Sequence, residues 1–106
     1  MLYLDANFFI FALLDRTDKG VEARNILQMI VKGERALTSP LALDEVMWVL
    51  IKGGKKHLLR MAIEGIYSTP NLDVVEVIST APILALDLIE RYDLRPRDAL
   101  HIAIMR

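Results

Sequence analysis

The chain has 106 residues, of which 54% are hydrophobic and 25% charged, and its 13 Lys and Arg against 14 Asp and Glu give a formal net charge of -1. This length supports a hydrophobic core without metal or disulfide staples, so we predict a single domain over residues 1–106. The absence of cysteine excludes a disulfide scaffold, a zinc–thiolate site and a cysteine nucleophile. The near-zero charge argues against nucleic-acid binding by bulk electrostatics alone.

The sequence carries no sign of export or of membrane insertion. The first five residues lack the basic stretch of a secretory signal, and the apolar run that follows is preceded by Asp5 and Asn7. No apolar stretch approaches the ~20 residues that span a bilayer. We therefore expect a cytoplasmic protein without membrane contacts, in which the high apolar content reflects a rich core or a buried oligomer face.

Apolar positions predict alternating strands and helices in the first half of the chain. Leu2 to Leu4 form a short apolar run that is typical of a buried strand. Apolar residues recur at helical spacing before Gly33, and Pro40 closes a short β-prone run. The predicted elements are a strand at 2–4, a helix after Asn7, a helix over about 18–33, a strand over 35–39, and a helix over 42–51 that ends at Gly53 and Gly54.

The second half continues the same alternation. The run 73–78 is rich in Val and Ile and predicts a third strand. Thr80 is placed to cap a helix that has Pro82 in its first turn. Helices are predicted over 57–67, from Thr80 to Tyr92, and from Arg97 or Asp98 onward. Strands separated by helices over the whole length predict an α/β fold with a parallel sheet.

Three acidic residues stand where strands end or buried helices begin. Asp5 follows the first strand, Glu45 lies in the helix after the second strand, and Asp98 starts the last helix. Because ligands of α/β folds bind beyond the carboxyl ends of the strands, we expect these carboxylates to converge at one edge of the sheet. Converging carboxylates need protonation or a cation, and Mg²⁺ or Mn²⁺ with open positions for a phosphodiester is the natural candidate.

Each of these acids also has a structural interpretation. An acidic residue at a strand end is often the N-cap of a helix, and this role is open for Asp5 and Asp98. Asp44 lies beside Glu45 and is the alternative inward-facing carboxylate. Three caps at these three positions are a less probable coincidence than one shared site.

Two further features have both a functional and a structural interpretation. The segment Lys52–Arg60 carries four positive charges and no acidic residue, so it is either a contact for RNA phosphates or a solvated helix-hairpin tip. Trp48 lies on an apolar helix face, and we assign it to the core or to a dimer interface rather than to base stacking.

Three segments of the sequence resemble the PIN domain family. Residues 2–7, Leu-Tyr-Leu-Asp-Ala-Asn, look like the opening D-x-N of that family, Thr38 and Ser39 followed by Glu45 look like its second acidic station, and residues 98–103 are similar to its third acid and the helix after it. The resemblance implies a three-layer α/β/α fold with a central parallel sheet. It also implies a Mg²⁺- or Mn²⁺-dependent endoribonuclease, most often the toxin of a VapBC-type toxin–antitoxin pair.

The resemblance further implies partners and roles. Such proteins cut RNA, usually as homodimers, and are held inactive by a small VapB-like antitoxin. By the resemblance, the catalytic and metal-binding acids would be Asp5, Glu45 and Asp98, with Asn7 as a polar group near the first. Arg95 and Arg97 stand close to Asp98 in the sequence, placed either to bind substrate phosphate or to neutralise the acids.

The chain also departs from the family pattern. Family members usually continue past the third acid into further strands with a fourth acidic residue, and the sequence ends at Arg106 before them. We therefore expect a C-terminally short PIN-like domain that lacks one potential metal ligand. The alternative function is a catalytically inactive PIN-like module that binds protein or RNA. A receiver-like signalling domain requires strand stations that this sequence does not supply.

Overall fold

A computed structural model describes residues 1–105 of the chain. Its three strands form one parallel sheet in the order β1-β2-β3, which confirms the predicted α/β class. The contacts divide the chain into two units, of which the first is Met1–Val74 and the second begins at Val75. The elements are β1 (Leu2–Tyr3), α1 (Ala6–Leu14), α2 (Asp18–Val31), β2 (Ala36–Thr38), α3 (Pro40–Lys52), a short 3₁₀ turn (Lys56–Leu58), α4 (Leu59–Ser68), β3 (Leu72–Val74), α5 (Ala81–Tyr92) and α6 (Pro96–Met105).

The third strand is shorter than predicted. It was expected over 73–78 and ends at Val74, whose partner across the sheet is Thr38. Residue Pro40 begins α3 two positions after Thr38, so β2 turns away from the sheet at this point. Strand β2 therefore offers no residue beyond Thr38 for the apolar run after Val74 to pair with, and a β-prone composition alone does not extend a strand.

The first strand is less buried than predicted. Leu2 is 38% exposed, and only Leu4, just after β1, is buried. The reason is topological, because β1 lies at one edge of the described sheet and pairs only with β2. The amide of Leu4 continues that pairing by donating to the Leu37 carbonyl at 2.8 Å.

The helix boundaries follow the punctuation of the sequence. Pro40 occupies the first turn of α3, where its missing amide hydrogen costs nothing. The same helix ends at Gly53, and Gly54 adopts the left-handed φ of +72° that favours glycine. Helix α2 ends before Gly33, as predicted, and Gly33 also has a positive φ, of +136°.

The core of the first unit lies between the sheet and the helices. Its largest fully buried apolar side chains are Ile30, Leu50 and Val46, each worth on the order of 2 kcal/mol of burial free energy. Trp48 is 58% exposed, so the option that placed it in the core was wrong. Its ring faces solvent beneath the Lys52 ammonium group, 5.4 Å from the ring centre.

The second unit is built from α5 and α6, with a separate small core. Four of its five buried residues are alanines on these helices, Ala81, Ala85, Ala99 and Ala103, which allow close approach of the two backbones. Helix α5 follows Thr80, as predicted, but the Thr80 side chain forms no capping hydrogen bond because its backbone is already helical. The helix ends at Asp93 in a left-handed conformation. No helix within residues 1–105 is long and apolar enough to cross a bilayer.

Candidate active site

The carboxyl ends of β1 and β2 are joined by two hydroxyl hydrogen bonds. The Tyr3 hydroxyl lies 3.0 Å from Ser39 Oγ, and Thr38 Oγ1 donates to the Leu4 carbonyl at 2.8 Å. Thr38 and Ser39 are both fully buried. These bonds hold the backbone on either side of Leu4, so they set the position of Asp5, the next residue.

Asp5 caps helix α1. Its Oδ1 accepts a hydrogen bond from the Phe8 amide at 3.0 Å, and its backbone is extended, as an N-cap residue requires. The capping interpretation is therefore correct for Asp5, but the capping hydrogen bond uses only Oδ1, one of the two carboxylate oxygens. Because the side chain is exposed, Oδ2 remains accessible to a ligand from solvent.

Glu45, rather than Asp44, is the carboxylate on the inner side of α3. Asp44 is exposed, whereas Glu45 is half-buried. The pKa of Tyr3 is raised, first by burial of the phenol and further by the negative charges of Asp5 and Glu45, while the hydrogen bond from Ser39 acts in the opposite direction. Asp5 directly follows β1, and Glu45 lies in the second turn of α3, which follows β2, so both acids belong to the carboxyl ends of neighbouring parallel strands.

The other predicted site residues are placed as follows. Asn7 lies exposed in the first turn of α1. Helix α6 begins at Pro96, earlier than predicted, so Asp98 lies within its first turn and is not its N-cap. A carboxylate in this turn, in the second unit, is favoured by the helix dipole. Arg97 is in the same turn, Arg95 immediately precedes the helix, and all three side chains are exposed. Their functional roles stay predictions.

The pair of carboxylates in the first unit suits a small divalent cation. Within residues 1–105, neither unit by itself brings together three acidic, histidine or cysteine side chains that could hold a metal ion. Mg²⁺ keeps several of its waters and is usually bound by only one or two carboxylates together with substrate phosphate. Asp5 and Glu45 supply oxygen donors of this kind, so the residues present fit such an ion.

The hydroxyl groups around the acids were not predicted as site residues. One signal for Tyr3 was available, because residues two apart on a strand point to the same side and Asp5 follows at that spacing. Thr38 and Ser39 were used only for the resemblance, although two hydroxyls at the end of a buried strand need hydrogen-bond partners.

Comparisons with known proteins bear on the fold of the chain. The sequence profile of the PIN domain family matches residues 2–106. The chain is similar to the solved structure of VapC20 from Mycobacterium tuberculosis, a sarcin–ricin loop cleaving toxin, with 19% identity, a TM-score of 0.81, and coverage of 100% of this chain and 82% of that chain. It is also similar to VapBC2 from Rickettsia felis, solved with a fragment of promoter DNA, with 20% identity, a TM-score of 0.70, and coverage of 97% and 79%. These likenesses show a shared fold, and no curated protein gives a significant match.

Proposed function

The chain belongs to the PIN domain family, and from this premise we propose that it is a metal-dependent endoribonuclease, the toxin of a VapBC-type toxin–antitoxin pair. One observation carries the proposal: Asp5 directly follows β1, and the half-buried Glu45 lies on the helix that follows the neighbouring parallel strand β2. The likeness to VapC20, a toxin that cleaves the sarcin–ricin loop, supports RNA as the substrate.

Asp5 and Glu45 would hold Mg²⁺ or Mn²⁺, and Asp98 is proposed as a further ligand because of its station in the sequence. When bound, the cation supplies a water of lowered pKa and stabilises negative charge on phosphoryl oxygens. The Phe8 amide fixes the rotation of the Asp5 carboxylate through Oδ1, which leaves Oδ2 for the ion.

The remaining residues would bind and orient the RNA. Burial and the two neighbouring charges raise the pKa of Tyr3, so its phenol is protonated at neutral pH and remains a hydrogen-bond donor. Arg95 and Arg97 are proposed to contact phosphate, since a guanidinium group matches phosphate oxygens in a two-pronged bond. Asn7 is proposed as a neutral polar contact beside Asp5.

Removing one carboxylate tests the proposal. We expect Asp5→Asn and Glu45→Gln each to reduce kcat/KM for RNA cleavage by at least about 100-fold, equivalent to about 2.7 kcal/mol of transition-state stabilisation. Asp44→Asn is the matched control, because it removes an exposed acid from the same helix, and it should leave cleavage unchanged. Equal activity in Glu45→Gln and Asp44→Asn would refute the assignment, provided that circular dichroism shows all variants folded.

The inactive-module alternative is separated by metal binding. We expect calorimetric titration with Mn²⁺ to detect binding that is weakened in Asp5→Asn and Asp98→Asn but retained in Asp87→Asn, which changes an exposed acid of α5. An absence of binding at millimolar Mn²⁺ would favour the inactive module.

A VapB-like antitoxin is proposed to bind an apolar groove of about 250 Å³ in the first unit. Its lining comes from α1, α2 and α4 and includes Phe9, Leu13, Leu27 and Met61. We expect Met61→Glu to abolish co-purification with a co-expressed VapB-like antitoxin. Tyr67→Glu is the control, since Tyr67 is equally exposed on α4 but does not line the groove. The homodimer is likewise a proposal, and a monomeric mass in solution would refute it.

A further inference from the structure

A polar cleft lies at the C-terminal end of α1, the end opposite to Asp5. Helix α1 has nine residues, so this end is about 13 Å along the helix axis from the acidic end. The cleft encloses about 480 Å³, and three of its lining side chains are cationic. It is lined by Leu13, Leu14, Asp15, Arg16, Arg24 and Lys55.

Arg24 is anchored in this cleft by backbone carbonyl groups. Its Nη1 donates to the carbonyl of Asp15 at 2.8 Å and to that of Ala12 at 3.3 Å. These carbonyls end α1, where acceptors lack partners within the helix and the dipole favours a cation. The guanidinium group is therefore held in place while its positive charge remains uncompensated by a carboxylate.

The one acidic residue of the cleft is occupied elsewhere. The Asp15 carboxylate accepts hydrogen bonds from the Thr17 amide, at 2.6 Å, and from the Thr17 hydroxyl. Within residues 1–105, none of the three cationic residues of the cleft forms an ion pair with a carboxylate, in contrast to Arg35 with Asp73 and Arg60 with Glu64.

Lys55 is positioned by the end of α3. Its amide donates to the Leu50 carbonyl at 2.8 Å, and the left-handed Gly54 directs the chain into that bond. Lys55 also belongs to Lys52–Arg60, which has four cationic residues and no acidic one in a chain whose net charge is -1. The cleft thus combines three cationic side chains with one acidic one, although the whole chain is nearly neutral.

We propose that this cleft binds the phosphodiester backbone of RNA, at a site separate from Asp5 and Glu45. The inference rests on the proposed function for the identity of the polyanion. A small phosphate would need one enclosed pocket, whereas these cations come from helix α2 and from two separate linkers, one of which leads into a basic segment, as an extended backbone requires. An RNA that is longer than the cleavage site could contact both the acidic end of α1 and this cleft, and it would gain affinity from the cleft without base recognition.

The salt dependence of binding tests this proposal. The probe is a fluorescently labelled oligouridylate, titrated by anisotropy against the full chain in EDTA, so that no cleavage occurs. We expect Arg16→Gln combined with Lys55→Gln to weaken binding several-fold. The plot of log affinity against log salt should flatten by about 0.7 for each phosphate that the variant no longer neutralises. Arg24 is left unchanged because it also caps α1.

Lys32→Gln is the matched control, since it removes an exposed lysine at the end of α2, outside the cleft. It should leave the salt slope unchanged. An unchanged slope in the double variant, an equal change in the control, or no binding of the probe by the wild type at low salt would overturn the proposal. A wild type that binds RNA in this way but never cleaves it would refute the nuclease function and leave the cleft supported.

Discussion

The two ends of helix α1 differ in charge and in how they are assembled. At the N-terminal end, Asp5 caps the helix two residues after Tyr3, whose hydroxyl is bonded to Ser39, whereas at the C-terminal end Arg24 and its cationic neighbours line a cleft. Each arrangement complements the helix dipole at its own end. At the acidic end the two hydroxyl hydrogen bonds join residues 34 and 36 positions apart, in addition to the local Asp5 cap, whereas the side-chain bonds of the cationic end join residues only 2 to 12 apart. The acidic end therefore depends on strand pairing, and the cationic end depends on the turn between α1 and α2.

The largest expected effect comes from adding one methyl group at the turn. A Cβ atom at Gly20 would lie 2.0 Å from the carbonyl oxygen of Asp15, which is backbone and cannot move aside alone. We expect Gly20→Ala to lower the free energy of unfolding by about 3 kcal/mol, measured by urea denaturation. We expect the cationic cleft to be disrupted before the acidic end, because Arg24 binds the same Asp15 carbonyl.

Gly65→Ala is the control for that substitution. Gly65 also lies in a helix, but a Cβ atom there would meet nothing within 4 Å. We expect a gain of about 0.5–1 kcal/mol from the better helix propensity of alanine. Similar losses at both glycines would mean that the close approach at Gly20 does not hold the turn.

The acidic end should respond to loss of one buried hydroxyl. Thr38→Val keeps the shape of the side chain but leaves the Leu4 carbonyl without its 2.8 Å bond. We expect a loss of about 2 kcal/mol, the cost of an unsatisfied buried acceptor, together with reduced RNA cleavage because Asp5 follows Leu4 directly.

Thr69→Val provides the comparison for Thr38. Thr69 Oγ1 donates to the Gly65 carbonyl at 2.7 Å, but this bond is exposed and water can replace it. We expect less than half the loss seen at Thr38, again by urea denaturation. A larger loss at Thr69 would contradict the view that cross-strand bonds hold the acidic end together.

The same difference explains what could be predicted from the sequence. The ends of α2 and α3 were predicted because Gly33 and Gly53 act on their own neighbours along the chain. The acids Asp5 and Glu45 were selected because parallel strands bring their carboxyl ends to one edge, an inference that needs only the order of the elements. Local punctuation and element order therefore account for most of what was correct.

Information that depends on register was beyond reach. The Tyr3–Ser39 contact exists because Tyr3 lies opposite Leu37, and no pattern within either segment specifies that pairing. The predicted length of β3 was wrong for the same reason, since the strand ends where β2 turns into α3 at Pro40. The position of Asp98 in the first turn of a helix was predicted correctly, but its role depends on the tertiary fold and stays a prediction.

The smallest expected effect is a pH dependence at the cationic end. Hydrogen bonds from the Thr17 hydroxyl and then from the Thr17 amide lower the pKa of Asp15 below its ordinary value of 3.8. Because the folded pKa is lower than the unfolded one, the carboxylate stabilises the turn above 3.8 and loses this contribution as the pH falls through the folded pKa. Asp15→Asn should thus be less stable than the wild type at neutral pH, and the stabilities of the two proteins should converge in acid when urea denaturation is repeated down a pH series.

Glu22→Gln, which removes an exposed acid of α2, controls for the lost charge. A difference between wild type and Asp15→Asn that stayed constant with pH would mean that the ionised carboxylate does not hold the turn, and the cationic end would then rest on the bonds of Arg24 alone.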